Sequence, residues 1–111
     1  MALEVPAVFE QDVWIDAGHS GGPITVRMPS YDGLPAGTRI RVHEYANDVT
    51  GVTFATDAGD SPQARIMNPT NRSAAPATSV SAGDISLRSF TFILRLSFVP
   101  DDVPQWFCEG Q

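Results

Sequence analysis

Residues 90–98, Phe90-Thr91-Phe92-Ile93-Leu94-Arg95-Leu96-Ser97-Phe98, carry an apolar side chain at every even position. A pleated strand sends successive side chains to opposite faces, so this pattern predicts a strand with one face buried and one face wet. Shorter copies recur at Ile24-Thr25-Val26-Arg27-Met28, Arg39-Ile40-Arg41-Val42-His43 and Gly51-Val52-Thr53-Phe54-Ala55. Gly, Pro, Asn and Asp cut them apart at short intervals, as turn residues do. No stretch shows a helical period, and no internal repeat is convincing.

Working outward from residues 90–98, the alternation changes parity: Ile85 and Leu87 are odd, whereas Phe90 onward is even. A bulge or break near Arg88-Ser89 reconciles the two halves. Downstream, Gln105 to Cys108 reads as a short closing strand. Upstream, Gln11 to Asp16 reads as a first true strand, with Val13 and Ile15 opposite Trp14. Thr38 to Tyr45 and Val49 to Thr56 read as a hairpin around Ala46-Asn47-Asp48. Residues 57–83 are rich in Ala, Pro, Ser, Asn and Asp, with Ile66, Met67 and Val80 as isolated apolar anchors. They read as a long surface excursion with one short strand near Gln63–Met67, and loops of that length are commonly functional or partner-bound. Residues 1–10 read as an apolar arm interrupted by Pro6, suited to an edge strand or an extended segment, with Leu3, Val5, Val8 and Phe9 either packing on their own domain or docking on a neighbour.

The expected fold is therefore all-β: a small antiparallel β-sandwich or barrel of jelly-roll character with seven to eight short strands. Residues 11–111 form one domain behind the arm, since 111 residues leave no room for a second core. The core should hold Ile24, Val26, Ile40, Val42, Val52, Phe54, Phe90, Phe92, Leu94 and Leu96.

The net charge is −6, and all seven cations are Arg. Phosphate backbones repel such a chain, so nucleic acid is a poor partner. No apolar run approaches the roughly 20 residues a membrane span needs, and no basic-plus-apolar opening marks a signal peptide. A single cysteine, Cys108, permits no internal disulfide and points to assembly in a reducing cytoplasm. It reads as a small buried hydrophobe.

Convergent chemistry is sparse. Asp16, His19 and Ser20 supply the residue types of a hydrolytic triad, but triad members normally come from separate elements, and a Gly-rich polar turn accounts for them. His43-Glu44 with Asp57 or Asp60 has the ligand types for a metal, yet neighbours on a strand face opposite sides. Asp57-Ala58-Gly59-Asp60 lacks the spaced oxygens and terminal Glu of a calcium loop. Gly18, Gly21 and Gly22 have no Lys after them to hold a phosphate. Trp14, Tyr31, Tyr45 and Trp106 have the chemistry of a sugar-binding platform, although aromatics in small β domains more often serve core or interface. The residues thus imply no catalytic group, no metal and no cofactor.

The order of Asp16 and a Gly-containing turn, Ile24-Thr25-Val26 ending at Met28-Pro29, Gly37-Thr38-Arg39-Ile40-Arg41-Val42 with Glu44, Val52-Thr53-Phe54, and a late Trp106 resembles a β module common in tailed-bacteriophage structural proteins. Met28-Pro29 stands where Leu-Pro is commoner, and residues 57–83 have no counterpart in that module. The resemblance implies a non-enzymatic virion protein. A free-standing acidic β domain with an apolar arm is similar to a capsid decoration (cement) protein, often a trimer bound to the major capsid protein at the shell surface and assembled in the host cytoplasm. The alternative is a tail-fibre or spike domain that binds a receptor glycan. For a cement protein the candidate contacts are Leu3, Val5, Val8 and Phe9 of the arm, and Arg65, Ile66, Met67 and Arg72 of the excursion. An arm can add a strand to a neighbour's sheet, and Arg suits planar pairing with carboxylates.

Overall fold

A computed structural model of the chain describes residues 2–15, 24–44, 51–71, 73–82, 88–96 and 103–110. Among the described residues there is no helix. Nine strands form two mixed sheets: β1 (Ala2–Glu4), β2 (Glu10–Ile15), β3 (Ile24–Arg27), β4 (Arg39–Glu44), β5 (Val52–Ala55), β6 (Arg65–Ile66), β7 (Ser79–Ala82), β8 (Ser89–Arg95) and β9 (Gln105–Gly110). The four-stranded sheet runs β1-β3-β5-β7 and the five-stranded sheet β2-β4-β8-β9-β6; neither closes into a barrel.

The expected all-antiparallel pairing is corrected. β1–β3, β3–β5, β2–β4 and β6–β9 are parallel, while β4–β8, β5–β7 and β8–β9 are antiparallel. From β1 to β8 each strand lies in the opposite sheet from its predecessor. Neighbours within a sheet are then next-but-one in sequence, and several run the same way. Alternation reports which face is buried, not which way the neighbour runs, so it leaves this undecided. For the same reason the expected hairpin of residues 38–45 with 49–56 does not exist. β4 pairs with β2 and β8, and β5 pairs with β3 and β7; the proposed turn at residues 46–48 lies outside the described residues.

Both sheets point their apolar residues into one shared core. The layers meet where Phe54 of β5 faces Phe92 of β8, ring centroids 5.2 Å apart and tilted by 51°. Every expected core residue is buried except Leu96, which is 39% exposed. β8 ends at Arg95 and the chain bends at Leu96, so the parity of the strand stops applying there. Val5, Ile15, Met28, Ala64, Ile66, Val80, Ala82, Trp106 and Cys108 complete the core. A register shift against β9 falls between Thr91 and Phe92. β8 begins at Ser89, and Ile85 and Leu87, on which the expected break turns, lie outside the described residues.

The described residues between 57 and 82 are more structured than their composition suggests. They contain β6 and β7, the latter an Ser-Val-Ser-Ala strand that buries Val80 and Ala82. The buried Thr56 hydroxyl donates to the Ala64 carbonyl at 2.7 Å. The Asp60 carboxylate accepts from the Ser30 hydroxyl and from the Tyr31 N–H, and the Tyr31 hydroxyl donates to the Pro62 carbonyl at 2.7 Å. These bonds fasten the loop after β5 to the loop after β3. Burial, then the negative charges of Asp60 and Asp32, raise the Tyr31 pKa.

Candidate functional site: the outer face of the five-stranded sheet

The densest polar constellation among the described side chains lies on the solvent face of β2, β4 and β8. Parallel register sets Asp12 beside Arg41 and Trp14 beside His43. Antiparallel register then sets His43 beside Ser89 and Arg41 beside Thr91. Their strand neighbours Ile40, Val42 and Phe90 point inward and are buried, which fixes the outward direction of this set.

Each member is held by another. Asp12 Oδ1 accepts from Arg41 Nε at 3.0 Å and from His43 Nε2 at 2.7 Å. His43 Nδ1 lies 2.7 Å from the Ser89 hydroxyl. A carboxylate only accepts, so His43 Nε2 carries a hydrogen; in the neutral ring Nδ1 accepts from Ser89. The imidazole is thus tied at both nitrogens. On it lies the Trp14 indole, with centroids 4.2 Å apart and planes 21° from parallel. Glu10 adds a weaker contact to Arg41 at 3.9 Å. The hydrogen bond from Arg41, then that from His43, hold the Asp12 carboxyl below its ordinary range. The same bond to Asp12 raises the Arg41 pKa further.

Asp12, His43 and Ser89 are the residue types of a hydrolytic triad, assembled from three strands. Acyl-transfer sites draw much of their power from preorganised donors in a water-excluded pocket. Here Ser89 is exposed on an open sheet face, and Asp12 is shared with a guanidinium. The arrangement is better suited to fixing a ring than to attacking a carbonyl.

The residues singled out from the sequence are placed as follows. Asp16, His19 and Ser20, the glycines 18, 21 and 22, Tyr45 and Arg72 lie outside the described residues. His43 faces outward, whereas Glu44 is buried. Asp57 Oδ1 accepts from the Gly59 N–H at 2.8 Å. No group of three or more potential metal ligands occurs among the described residues. Trp106 is fully buried and Tyr31 is committed to its loop, so of the described aromatics proposed for a platform only Trp14 stands exposed.

Of the partner-contact candidates, Val5 and Ile66 belong to the core, and Leu3 packs against it. Their apolar character serves their own domain. Val5 is also tied by its N–H to the Arg27 carbonyl at 2.9 Å. Met67 is half-buried and Arg65 exposed. Val8 and Phe9, between β1 and β2, remain 48% and 54% exposed. A groove of about 450 Å³ runs beside β1, with Glu4, Ala7, Arg27 and Asp57 in its wall.

Sequence reasoning missed Asp12, Arg41 and Ser89. The signal was partial: parity puts Asp12 with Trp14, and Arg41 with His43, on wet faces, but the register that joins the pairs spans two sheet crossings. No family model matches this chain, and neither a curated protein nor a solved structure does.

Proposed function

We propose that this protein is a non-enzymatic virion component, a capsid decoration protein that works by surface contact with the major capsid protein, as a trimer on the shell. The carrying observation is the adjacent exposed pair Val8 and Phe9, at 48% and 54%, in the segment that links β1 and β2, the edge strands of the two sheets. An unpaired edge offers main-chain hydrogen bonds to a neighbouring strand. The two exposed apolar side chains add contact area, at roughly 25 cal/mol per Å² removed from water. Symmetric repetition over a shell multiplies modest contacts of this kind. The resemblance to phage β modules supplies the setting, and the open polar face with its shared carboxylate supports a role without catalysis.

Removing the arm outright is a poor test, because it takes away β1 and the buried Val5. The double substitution Val8→Asp, Phe9→Asp leaves both intact. In cosedimentation with preformed shells of the virus that encodes the chain, the variant should melt like the parent and fail to bind. Full occupancy by a folded variant would remove the basis of this reading.

A further inference from the structure

We propose that the Trp14 platform is a carbohydrate-binding site. The indole stacks on the apolar face of a neutral pyranose, and Asp12, Glu10 and Arg41 hydrogen-bond its hydroxyls. Trp14 is 64% exposed, the most exposed of the large apolar side chains described. Its orientation is nonetheless fixed: one face lies on His43, and His43 is tethered to Asp12 and Ser89 at its two nitrogens. A rigid, pre-oriented ring loses little freedom when a ligand settles on it. A pyranose has an apolar C–H face and a rim of hydroxyls, which matches an aromatic plate with carboxylate and guanidinium groups at its side.

The charges of this face select against anionic polymers. Arg41 is paired with Asp12 and Glu10, and Arg39 faces Glu109 at 3.7 Å. Paired guanidiniums make no electropositive track for phosphates, and the chain as a whole carries −6. A stacked Trp–His pair that served only the β2–β4 register would steady the pairing of the two strands and would bind no sugar.

The site shares no residue with the Val8–Phe9 contact, so the two proposals fail separately. The test titrates the full chain with cellohexaose, maltohexaose and N-acetylchitohexaose, with an oligothymidylate as comparison. Binding is followed by saturation-transfer NMR and tryptophan emission. One of the sugars should bind saturably with Kd of about 1 mM or tighter. Trp14→Ala should weaken it at least about tenfold, with Trp14→Phe in between. His43→Ala should weaken it too, by freeing the ring. The buried Trp106 and the melting temperature report that each variant is folded. The proposal is overturned if no sugar binds, if a folded Trp14→Ala binds as well as the parent, or if the oligothymidylate is preferred.

Discussion

Leu94 and Leu96 are the same residue type, two positions apart and of the same parity, yet the fold treats them differently. Leu94 is 1% exposed and Leu96 39%. Leu94 sits opposite Trp106 on β9, and its N–H donates to the Thr38 carbonyl at 2.8 Å. Truncating it to Ala leaves a cavity between fixed walls, which costs about 2–5 kcal/mol. Leu96 stands past the end of β8, where solvent fills the space, so its truncation should cost about 1 kcal/mol or less. With an unfolding entropy of about 2.1 cal/mol/K per residue, a chain of 111 residues loses roughly 13 °C of Tm for 3 kcal/mol and roughly 4 °C for 1 kcal/mol. Against a total of about 5–15 kcal/mol, the first loss is severe and the second minor. Urea titrations of both variants, followed by Trp106 emission at unchanged m, give the difference directly. Equal losses for the two leucines would refute the assignment of where β8 leaves the core.

Asp12→Asn should flatten the acid limb of stability. The folded-state pKa of Asp12 is depressed, so its contribution is present above the ordinary carboxylate value of about 3.9 and is lost as pH falls through the lower folded value; thermal melts between about pH 2 and pH 6 should show parent and variant converging at the acid end. Gly37 adopts φ of +90° with open space around it, so Gly37→Ala should cost about 1–2 kcal/mol from backbone conformation alone, measured by the same urea titration. Cys108 is fully buried, so a thiol reagent should label it at the rate of unfolding in native buffer and immediately in denaturant.

The faces of the strands were legible from residue order, because burial has the strand's own period of two. Val26, Val42, Phe54 and Phe92 could be placed in the core without knowing a single neighbour. The pairings could not be. Asp12 meets Arg41 across a parallel register whose two strands are separated by β3 in the other sheet, and nothing local encodes that distance. Val5 and Ile66 could not be assigned to their own core or to a neighbour for a related reason: an apolar residue in a polar or Pro-broken stretch looks stranded until a remote sheet covers it. β7 escaped notice because Ser79, Ser81 and Ala82 are small. Its alternation is sound but weak, and its two buried side chains are too modest to stand out from an Ala- and Ser-rich background.

The weaving of the chain between its two sheets bears on how the molecule acquires its shape. Among the described strands, only β8 and β9 follow one another in sequence and also lie side by side in one sheet. Every other ladder joins segments with an intervening strand or more, and such non-local pairing slows folding toward the millisecond-to-second range. During synthesis β2 and β4 can meet early, but the far side of β4 stays open until β8 emerges some fifty residues later. The C-terminal hairpin is thus both the most local piece of structure and the one that completes the larger sheet. A growing chain, or one truncated before β8, exposes the inner face of β4 and a bare strand edge together, and a chaperone would find both on a stalled ribosome.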